Sequence, residues 1–360
     1  MDDRLEITAK LRSAVAPWMF VTGYLWGEDG RVTLRGRLAV PPEQAYRPLR
    51  AALATIQFTP TLRVSDTNPN EHEIVAVPGV VPRATSNAKI NILLFLATVV
   101  SVTLSGSGDV DEAGNPIFLL GNGLMFAGSL LTILVAHEMG HYLVSRWRGA
   151  PASLPYFIPM PLALSGTMGA VIVQREPFED RRTLLEVGIA GPIAGFVFAV
   201  PLFILGMLLS EVKAIPTTGV MFLGDSYLTQ TIGQMIHGVI DPALGRDVFL
   251  HPIAMGAWIG LLITGINLIP AGQLDGGHVA YALFGERANY ISYAMIGLLA
   301  VLSITASQGW LIWVFMLMAF GRAHPPVLNQ ATRLTWVHWL LAFIGLLIFV
   351  LTFVPRPIYS

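Results

Sequence analysis

Two histidines and one glutamate interrupt the apolar stretch VAHEMGHYLV, residues 135–144. His137 and His141 are four residues apart, so a helix places both imidazoles on one face. Two imidazoles placed in this way can bind one Zn²⁺, and the glutamate between them, Glu138, can accept a proton from the attacking water. The pattern predicts a zinc-dependent hydrolytic site with Glu138 as the catalytic base.

The alternative interpretation of this motif is a pair of structural histidines in a polar helix seam. The sequence around the motif favours a functional site. No charged residue occurs between Ile117 and Ala136, and ionisable side chains inside a membrane segment are costly and usually functional. Arg146 ends the apolar run, and at 1.5 Å per residue His137 lies about 13 Å from it. We therefore expect a site inside a membrane that is reached from the side carrying Arg146.

A hydrolytic zinc site uses three protein ligands and keeps one open position. Asp275 follows the charge-free run 252–274 and falls on the same predicted membrane side as His141. We predict Asp275 as the third ligand. His278, three residues further along, is the competing candidate.

Other acidic residues and histidines are weaker candidates. Glu186 lies at a helix start among arginines, where ion pairing or the helix dipole accounts for it. His237 and His251 are expected on the opposite side of the membrane. Six further acids fall in polar loops: Glu176, Glu179, Asp180, Asp225, Asp241 and Asp247.

The composition identifies the kind of chain that carries these residues. It is 54% hydrophobic and only 12% charged, with a mean hydropathy of +0.62, whereas soluble domains contain roughly 25% charged residues. The absence of cysteine excludes disulfides, cysteine zinc sites and thiol catalysis. A net charge of −1 gives no basic field for nucleic acid. The expected environment is a lipid bilayer.

The chain organisation follows from the apolar runs. A span needs about 20 residues, and we predict seven spans, with six as the alternative, at about 90–107, 117–147, 185–210, 249–275, 289–306, 309–321 and 335–354. Residues 1–88 have a soluble composition. They are expected to form a small cytosolic α+β domain, with a helix near 7–16 and a β-α-β-β pattern after it; an irregular extension is the alternative. The fold class is an all-α polytopic membrane domain, residues 89–360, with this domain before it.

The distribution of Lys and Arg predicts the orientation. The loop 106–116 has acids and no cation, and 211–248 has only Lys213 and Arg246, so both are expected outside. Cations on the opposite side are Arg146, Arg148, Arg175, Arg181, Arg182, Arg287, Arg322 and Arg333. The N-terminus, which lacks a signal peptide pattern, is then cytoplasmic and Ser360 is external.

The motif at 137–141, followed by NLIPAGQLDGGH at 267–278, resembles the intramembrane zinc metalloproteases of the site-2 protease family. The later pattern, N-x-x-P…L-D-G, is matched by Asn267, Pro270, Leu274, Asp275 and Gly276. The resemblance implies one zinc ion bound by His137, His141 and Asp275, with Glu138 as base. It also implies that Asn267 positions substrate or stabilises the developing oxyanion, and that the family's three-span core lies in about 117–285.

Two further stretches extend the resemblance. SGTMGAVIV, residues 165–173, is similar to the family's G-x-x-G-A segment, which implies substrate contacts at Gly166, Gly169 and Ala170, beside those of Asn267 and Pro270; a glycine-rich turn is the alternative. Gly191 and Gly195 in AGPIAG are interpreted as small residues for close helix packing. The N-terminal unit, the entry to the fourth span and GQLDGGHV resemble the cyanobacterial and plastid-type branch. No PDZ-like insertion is expected, since 211–248 is too short.

The predicted function is therefore an intramembrane metalloendopeptidase that cleaves single-span membrane proteins by regulated intramembrane proteolysis. Its expected location is the inner membrane of a bacterial cell, with the active site open to the cytoplasm. A catalytically silent scaffold or chaperone and a metal transporter are the alternatives, and a protease with glutamate as third ligand is the alternative mechanism. Substrate recruitment, ligand sensing and homo-oligomer formation remain open roles for the N-terminal domain.

Overall fold

The structure, a computed structural model, describes residues 2–80, 87–110, 116–174, 176–215, 222–321 and 323–359. Two cations used to predict the orientation, Arg175 and Arg322, lie outside the described residues, as do Ser360 and the acids of the loop 111–115. The chain divides into two compact units. Unit 1 comprises Met1–Ala84, Arg175–Leu184 and Pro325–His338, and unit 2 comprises Thr85–Gln174, Leu185–His324 and Trp339–Ser360.

Unit 1 is an antiparallel sheet with two helices. Its strands occur in the order β1-β2-β4-β3. The elements are α1 (Asp2–Val15), β1 (Met19–Trp26), β2 (Val32–Leu38), α2 (Pro42–Ala54), β3 (Phe58–Val64) and β4 (His72–Pro78). The N-terminal α+β region is therefore present, with the predicted strand-helix-strand-strand order after β1.

The alternation of apolar residues explains the core of unit 1. Leu34, Leu62 and Ile74, from β2, β3 and β4, are fully buried in one hydrophobic cluster, because alternate residues of a strand point to the same face. Tyr46 of α2 joins this cluster, and its hydroxyl donates to the carbonyl oxygen of Pro60 at 2.9 Å. The strand β1 has no such clean alternation. It exposes Phe20 and is interrupted by a register shift at Gly23, which is why its sequence does not predict it.

Unit 1 is completed by two segments that are distant in sequence. Residues 328–330 run beside β3: the Leu62 N–H donates to Leu328 and the Gln330 N–H donates to Leu62, both at 2.8 Å. Asn329 is 1% exposed, and its side-chain Nδ2 donates to Pro42 at 3.2 Å. Ion pairs connect α2 with 176–182, namely Arg47–Glu179, Arg50–Glu176 and Glu43–Arg182. The folded unit therefore extends well beyond the N-terminal residues.

Unit 2 is mainly helical. Its helices are α3 (Ala88–Gly106), α4 (Leu120–Arg148), α5 (Arg181–Leu208), α6 (Tyr227–His237), α7 (Pro252–Asn267), α8 (Asp275–Phe284), α9 (Ala288–Thr305), α10 (Trp310–Phe320) and α11 (Trp336–Thr352); α5 and α11 begin in segments of unit 1. Short antiparallel strand pairs are β5 (Gly108–Val110) with β6 (Pro116–Phe118), β7 (Tyr156–Pro159) with β8 (Thr167–Val171), β9 (Glu211–Ala214) with β11 (Arg246–Phe249), and β10 (Phe222–Leu223) with β12 (Ile358–Tyr359).

The apolar helices of unit 2 are those expected of a membrane protein. Among the described residues, four helical segments are long and apolar enough to cross a membrane, and three more are apolar but shorter: the long ones are Ala88–Gly106, Leu120–Arg148, Arg181–Leu208 and Asp275–Thr305, and the short ones are Pro252–Asn267, Trp310–Ala319 and Trp336–Thr352. Each predicted span overlaps one of these seven segments. The number that cross the membrane stays a prediction.

One predicted span ends earlier than its sequence indicated. The run 249–275 was expected to be continuous, but α7 ends at Asn267 and α8 begins at Asp275. Pro270 lies in the break and has no N–H to continue a helix, and Gly272 has a left-handed φ of +54°. Asp275 is therefore the first residue of a new helix, and its backbone does not continue α7.

Candidate metal centre

The helix α4 places His137 and His141 one turn apart, and both are buried, at 3% and 9% exposure. Asp275, the first residue of α8, meets them. The Nε2 atoms of the two histidines are 3.1 Å apart, Asp275 Oδ2 is 3.1 Å from His137 Nε2, and it is 3.3 Å from His141 Nε2. The structure thus brings together the three residues that were predicted as metal ligands.

This triangle of atoms has the size that tetrahedral zinc requires. Zn–N and Zn–O bonds of about 2.0–2.2 Å separate neighbouring tetrahedral ligands by roughly 3.3–3.5 Å. The three observed separations, 3.1 to 3.3 Å, are close to this range. Two imidazole nitrogens and one carboxylate oxygen are also a donor set that zinc accepts. The residues present therefore fit zinc.

Neighbouring backbone fixes the tautomer of one imidazole. His141 Nδ1 lies 2.7 Å from the carbonyl oxygen of Val187 in α5. A carbonyl only accepts, so Nδ1 carries the proton and Nε2 presents a lone pair towards Asp275 and His137. His137 Nδ1, in contrast, is buried and has no hydrogen-bond partner among the described residues.

Small residues of α5 leave room for the imidazoles. A Cβ atom at Gly191 would lie 2.1 Å from His141 Nε2, and one at Gly195 would lie 3.2 Å from His137 Nδ1. The facing helix α4 also has a small residue at this interface, because a Cβ at Gly140 would lie 2.6 Å from the carbonyl oxygen of Ala190 in α5. The close helix packing predicted for Gly191 and Gly195 is thus the packing of α5 against the metal-binding face of α4.

The predicted catalytic residues, Glu138 and Asn267, and the predicted substrate-binding residue Pro270 lie on or next to the elements that carry the three ligands. Glu138 follows His137 on α4 and is 5% exposed. Asn267 is the last residue of α7, and its Nδ2 is 3.4 Å from His137 Nε2. Pro270 lies in the turn between α7 and α8. A Cβ at Gly276 would be 2.0 Å from the carbonyl oxygen of Leu268, so this turn folds tightly against the start of α8.

The competing histidines have other partners. His278 Nδ1 is 2.7 Å from Nε2 of His324, and His324 stacks on Tyr281. His237 Nε2 donates to the carbonyl oxygen of Met207 at 2.9 Å, and His251 caps α7 by accepting from the Ile253 N–H at 3.3 Å. Among the described residues, the group that could hold a metal ion consists of His137, His141 and Asp275, and it includes none of the competing histidines.

The acidic residue Glu186 is paired, as expected from the arginines near it. It lies in the first turns of α5 and forms an ion pair with Arg148 at the end of α4. Ion pairing therefore accounts for Glu186 without a role at the metal centre.

The segment predicted to contact substrate forms a hairpin. Ala170 of β8 pairs with Phe157 of β7, and β7 is the only strand paired with β8 among the described residues. Gly166 and Gly169 have left-handed φ values of +68° and +96°. The hairpin contacts α3, and β8 also contacts α4. This segment is thus a strand pair and not a simple glycine-rich turn.

Several contacts of the site were not predicted. The carbonyl of Val187 carries no side-chain signal, so its contact with His141 could not be read from sequence. Asn91 and Ser101 are buried polar residues of the apolar helix α3, and their placement in an apolar run was a signal that could have been used.

A His-His-Asp group of the size that zinc requires, on apolar helices long enough to cross a membrane, could hold a metal ion and is typical of zinc hydrolases. The chain belongs to peptidase family M50, the site-2 proteases, whose model matches residues 125–304. This match includes all three ligand positions and Glu138. The chain is therefore a membrane protein of a metalloprotease family.

Several curated relatives carry this family's activity in their names. The chain is 31% identical over 80% of its length to "Probable zinc metalloprotease EGY2, chloroplastic" of Arabidopsis thaliana, covering 54% of that protein. It is 33% identical over 64% of its length to "Probable zinc metalloprotease EGY1, chloroplastic" of the same plant, covering 43% of it. The chain spans about half the length of the curated relatives it matches. No solved structure matches it significantly.

Proposed function

We propose that this protein is an intramembrane zinc endopeptidase that hydrolyses peptide bonds within transmembrane segments of single-span membrane proteins, as a step of regulated intramembrane proteolysis. The observation that carries the proposal is the group of ligand atoms on the buried His137 and His141 and on the half-buried Asp275, separated by 3.1 to 3.3 Å on helices of membrane composition. The names of the plastid relatives support the zinc protease chemistry.

Each polar residue at the centre has a proposed task. His137, His141 and Asp275 hold one zinc ion per chain, which supplies Lewis acidity towards the scissile carbonyl and a water of lowered pKa. Glu138 accepts the proton of the attacking water and delivers it to the leaving amine. Asn267, whose Nδ2 lies 3.4 Å from His137 Nε2, donates to the oxygen on which negative charge develops.

A substrate helix in lipid must be locally unwound before it can be hydrolysed, because its backbone groups are bonded within the helix. The edge of β8 that is not paired with β7 can accept an extended segment as an added strand. Gly166, Gly169 and Ala170 belong to this hairpin, and Pro270 lies in the turn that joins Asn267 to Asp275. We assign these residues to substrate binding.

The proposed location is a cell membrane of bacterial inner-membrane type, with the N-terminus and the opening of the site on the cytoplasmic side. Residues 1–88 are the cytosolic domain of this proposal, and 89–360 are the membrane domain. Because the chain has no cysteine, single cysteines can be introduced at exposed Thr55 and Glu211 and labelled in intact cells. Labelling of the Glu211 position alone by an impermeant maleimide is expected, and labelling of the Thr55 position alone would reverse the orientation.

The function is tested with purified native protein, Glu138→Gln and a matched control, Glu211→Gln, incubated with a panel of single-span substrates. Glu211 is an exposed residue of β9 paired with Lys213. The native protein and the control should cleave, whereas Glu138→Gln should retain zinc and lose cleavage. Cleavage by Glu138→Gln would overturn the mechanism, and bound zinc without cleavage of any substrate by the native protein would favour a silent scaffold.

A further inference from the structure

The helix α3 has two different faces. Its exposed face carries large apolar side chains, among them Leu93 and Val100, at 67% and 59% exposure. Asn91, Ser101 and Ser105 fall within an arc of roughly 80° on another face, given 100° per residue. Asn91 and Ser101 are buried, at 5% and 4% exposure. Polar groups buried in such an apolar helix need partners, because an unpaired group costs free energy.

The partners of these side chains are backbone carbonyl groups of the β7–β8 hairpin. Before β7, Asn91 Nδ2 donates to the carbonyl oxygens of Leu154 and Pro155, at 3.0 and 2.9 Å. In the connection to β8, Ser101 Oγ donates to Gly166 at 2.6 Å and Ser105 Oγ donates to Ala163 at 3.1 Å. One helix therefore holds both the entry to β7 and the turn before β8.

Packing between the same elements is equally close. The rings of Phe95 in α3 and Phe157 in β7 meet edge to face at 5.0 Å. A Cβ at Gly166 would lie 2.5 Å from the Cα atom of Val102, so the turn before β8 touches the backbone of α3. Together with the hydrogen bonds, these contacts leave the hairpin little freedom to shift relative to α3.

We propose that Asn91 and Ser101 are positioning residues for proteolysis, which fix the strand β8 on which the unwound substrate pairs. The inference rests on the proposed protease function. It assigns to α3, which lies outside the matched family region, the task of choosing which peptide bond is presented to the metal centre. A shift of about 1 Å between a substrate and a catalytic centre is costly to the rate, and one residue of register moves an extended chain by about 3.3 Å.

The test compares Asn91→Leu and Ser101→Ala, singly and combined, with a matched control, Thr98→Val. Thr98 is a fully buried residue of the same helix, but its hydroxyl donates to Leu94 within α3. Substrate cleavage is followed by kinetics and by the masses of the products. The double variant should raise KM by roughly tenfold and cut at additional neighbouring bonds, with zinc content unchanged. Thr98→Val should cut as the native protein does.

A second readout does not require cleavage. Met168 of β8 is 53% exposed, and in this cysteine-free chain Met168→Cys accepts a single nitroxide label. The mobility of the label should increase when Asn91→Leu and Ser101→Ala are added and should not change with Thr98→Val. Unchanged mobility of the label would overturn the proposal. A double variant that only yields less active protein, with the native KM and the native cleavage position, would also overturn it. A mobile label without any native cleavage would support the positioning contact and refute only the protease function.

Discussion

The Nε2 atom of His137 lies 3.1 Å from Oδ2 of Asp275, although the two residues are 138 positions apart in sequence. The contact joins α4 to the first residue of α8, after a break that contains Pro270. The substitution Asp275→Asn keeps the shape of the side chain but removes the anionic oxygen that zinc would need as its third ligand. We expect Asp275→Asn to lose most of its zinc, measured by elemental analysis of purified protein. Full zinc content would instead support a glutamate as the third ligand.

The packing of α5 against the site gives a second prediction. A Cβ at Gly191 would lie 2.1 Å from His141 Nε2, so Gly191→Ala should displace this imidazole and weaken zinc binding by at least about tenfold. The measurement is zinc retention against a chelator series. The matched control is Gly128→Ala in α4, where the added Cβ meets no atom within 4 Å. Equal zinc retention by both variants would contradict the observed packing.

The third prediction concerns the segment that completes unit 1. Asn329 is buried, accepts from the Ala331 N–H at 3.2 Å and donates to Pro42 at 3.2 Å. Replacing it with Ala leaves these groups unpaired, so Asn329→Ala should destabilise unit 1 by about 1–3 kcal/mol. Faster amide exchange in β3 would report this loss. Gln330→Ala is the control, because Gln330 contacts Leu62 through its backbone N–H; equal exchange in both variants would refute the role of the Asn329 side chain.

The fourth prediction is a pH dependence of unit 1. Burial of Glu73 raises the pKa of its carboxyl, but hydrogen bonds and charge from Arg63 and Arg35 together lower that pKa by more than burial raises it. The pKa of Glu73 is therefore below its usual value. Such a group stabilises the fold above its unfolded pKa, about 4.3, and this contribution is lost as the pH falls through the folded pKa. Exchange protection in β4, corrected for intrinsic rates, should therefore decrease below about pH 4. Glu73→Gln should show a flatter profile; a profile identical to that of the native protein would contradict this origin.

The sequence predicts the metal centre better than it predicts the surrounding contacts. His137 and His141 follow from helical periodicity, and Asp275 is marked by its charge after a long apolar run. The shape of the site depends on the backbone of Val187 and on α5 lying against His141, and neither leaves a signature in residue types. The break after Asn267 was indicated by Pro270, but the apolar run around it favoured a continuous span.

The N-terminal fold shows the same division. β2, α2, β3 and β4 follow from alternation and helical spacing, because their buried residues recur with regular periods. β1 exposes Phe20 and shifts register at Gly23, which hides its pattern. The pairing of residues 328–330 with β3 joins parts of the chain more than 260 residues apart, and no local pattern encodes such a contact.

The most direct test of the central claim is the position of the bond that the protein hydrolyses. A single-span substrate is cleaved in water enriched in ¹⁸O, and the products are identified by mass spectrometry. We expect a cut inside the transmembrane segment, ¹⁸O in the new C-terminal carboxylate, and no products from Glu138→Gln. A cut confined to the soluble part of the substrate, or the same products from Glu138→Gln, would contradict an intramembrane zinc protease that uses Glu138 as its base.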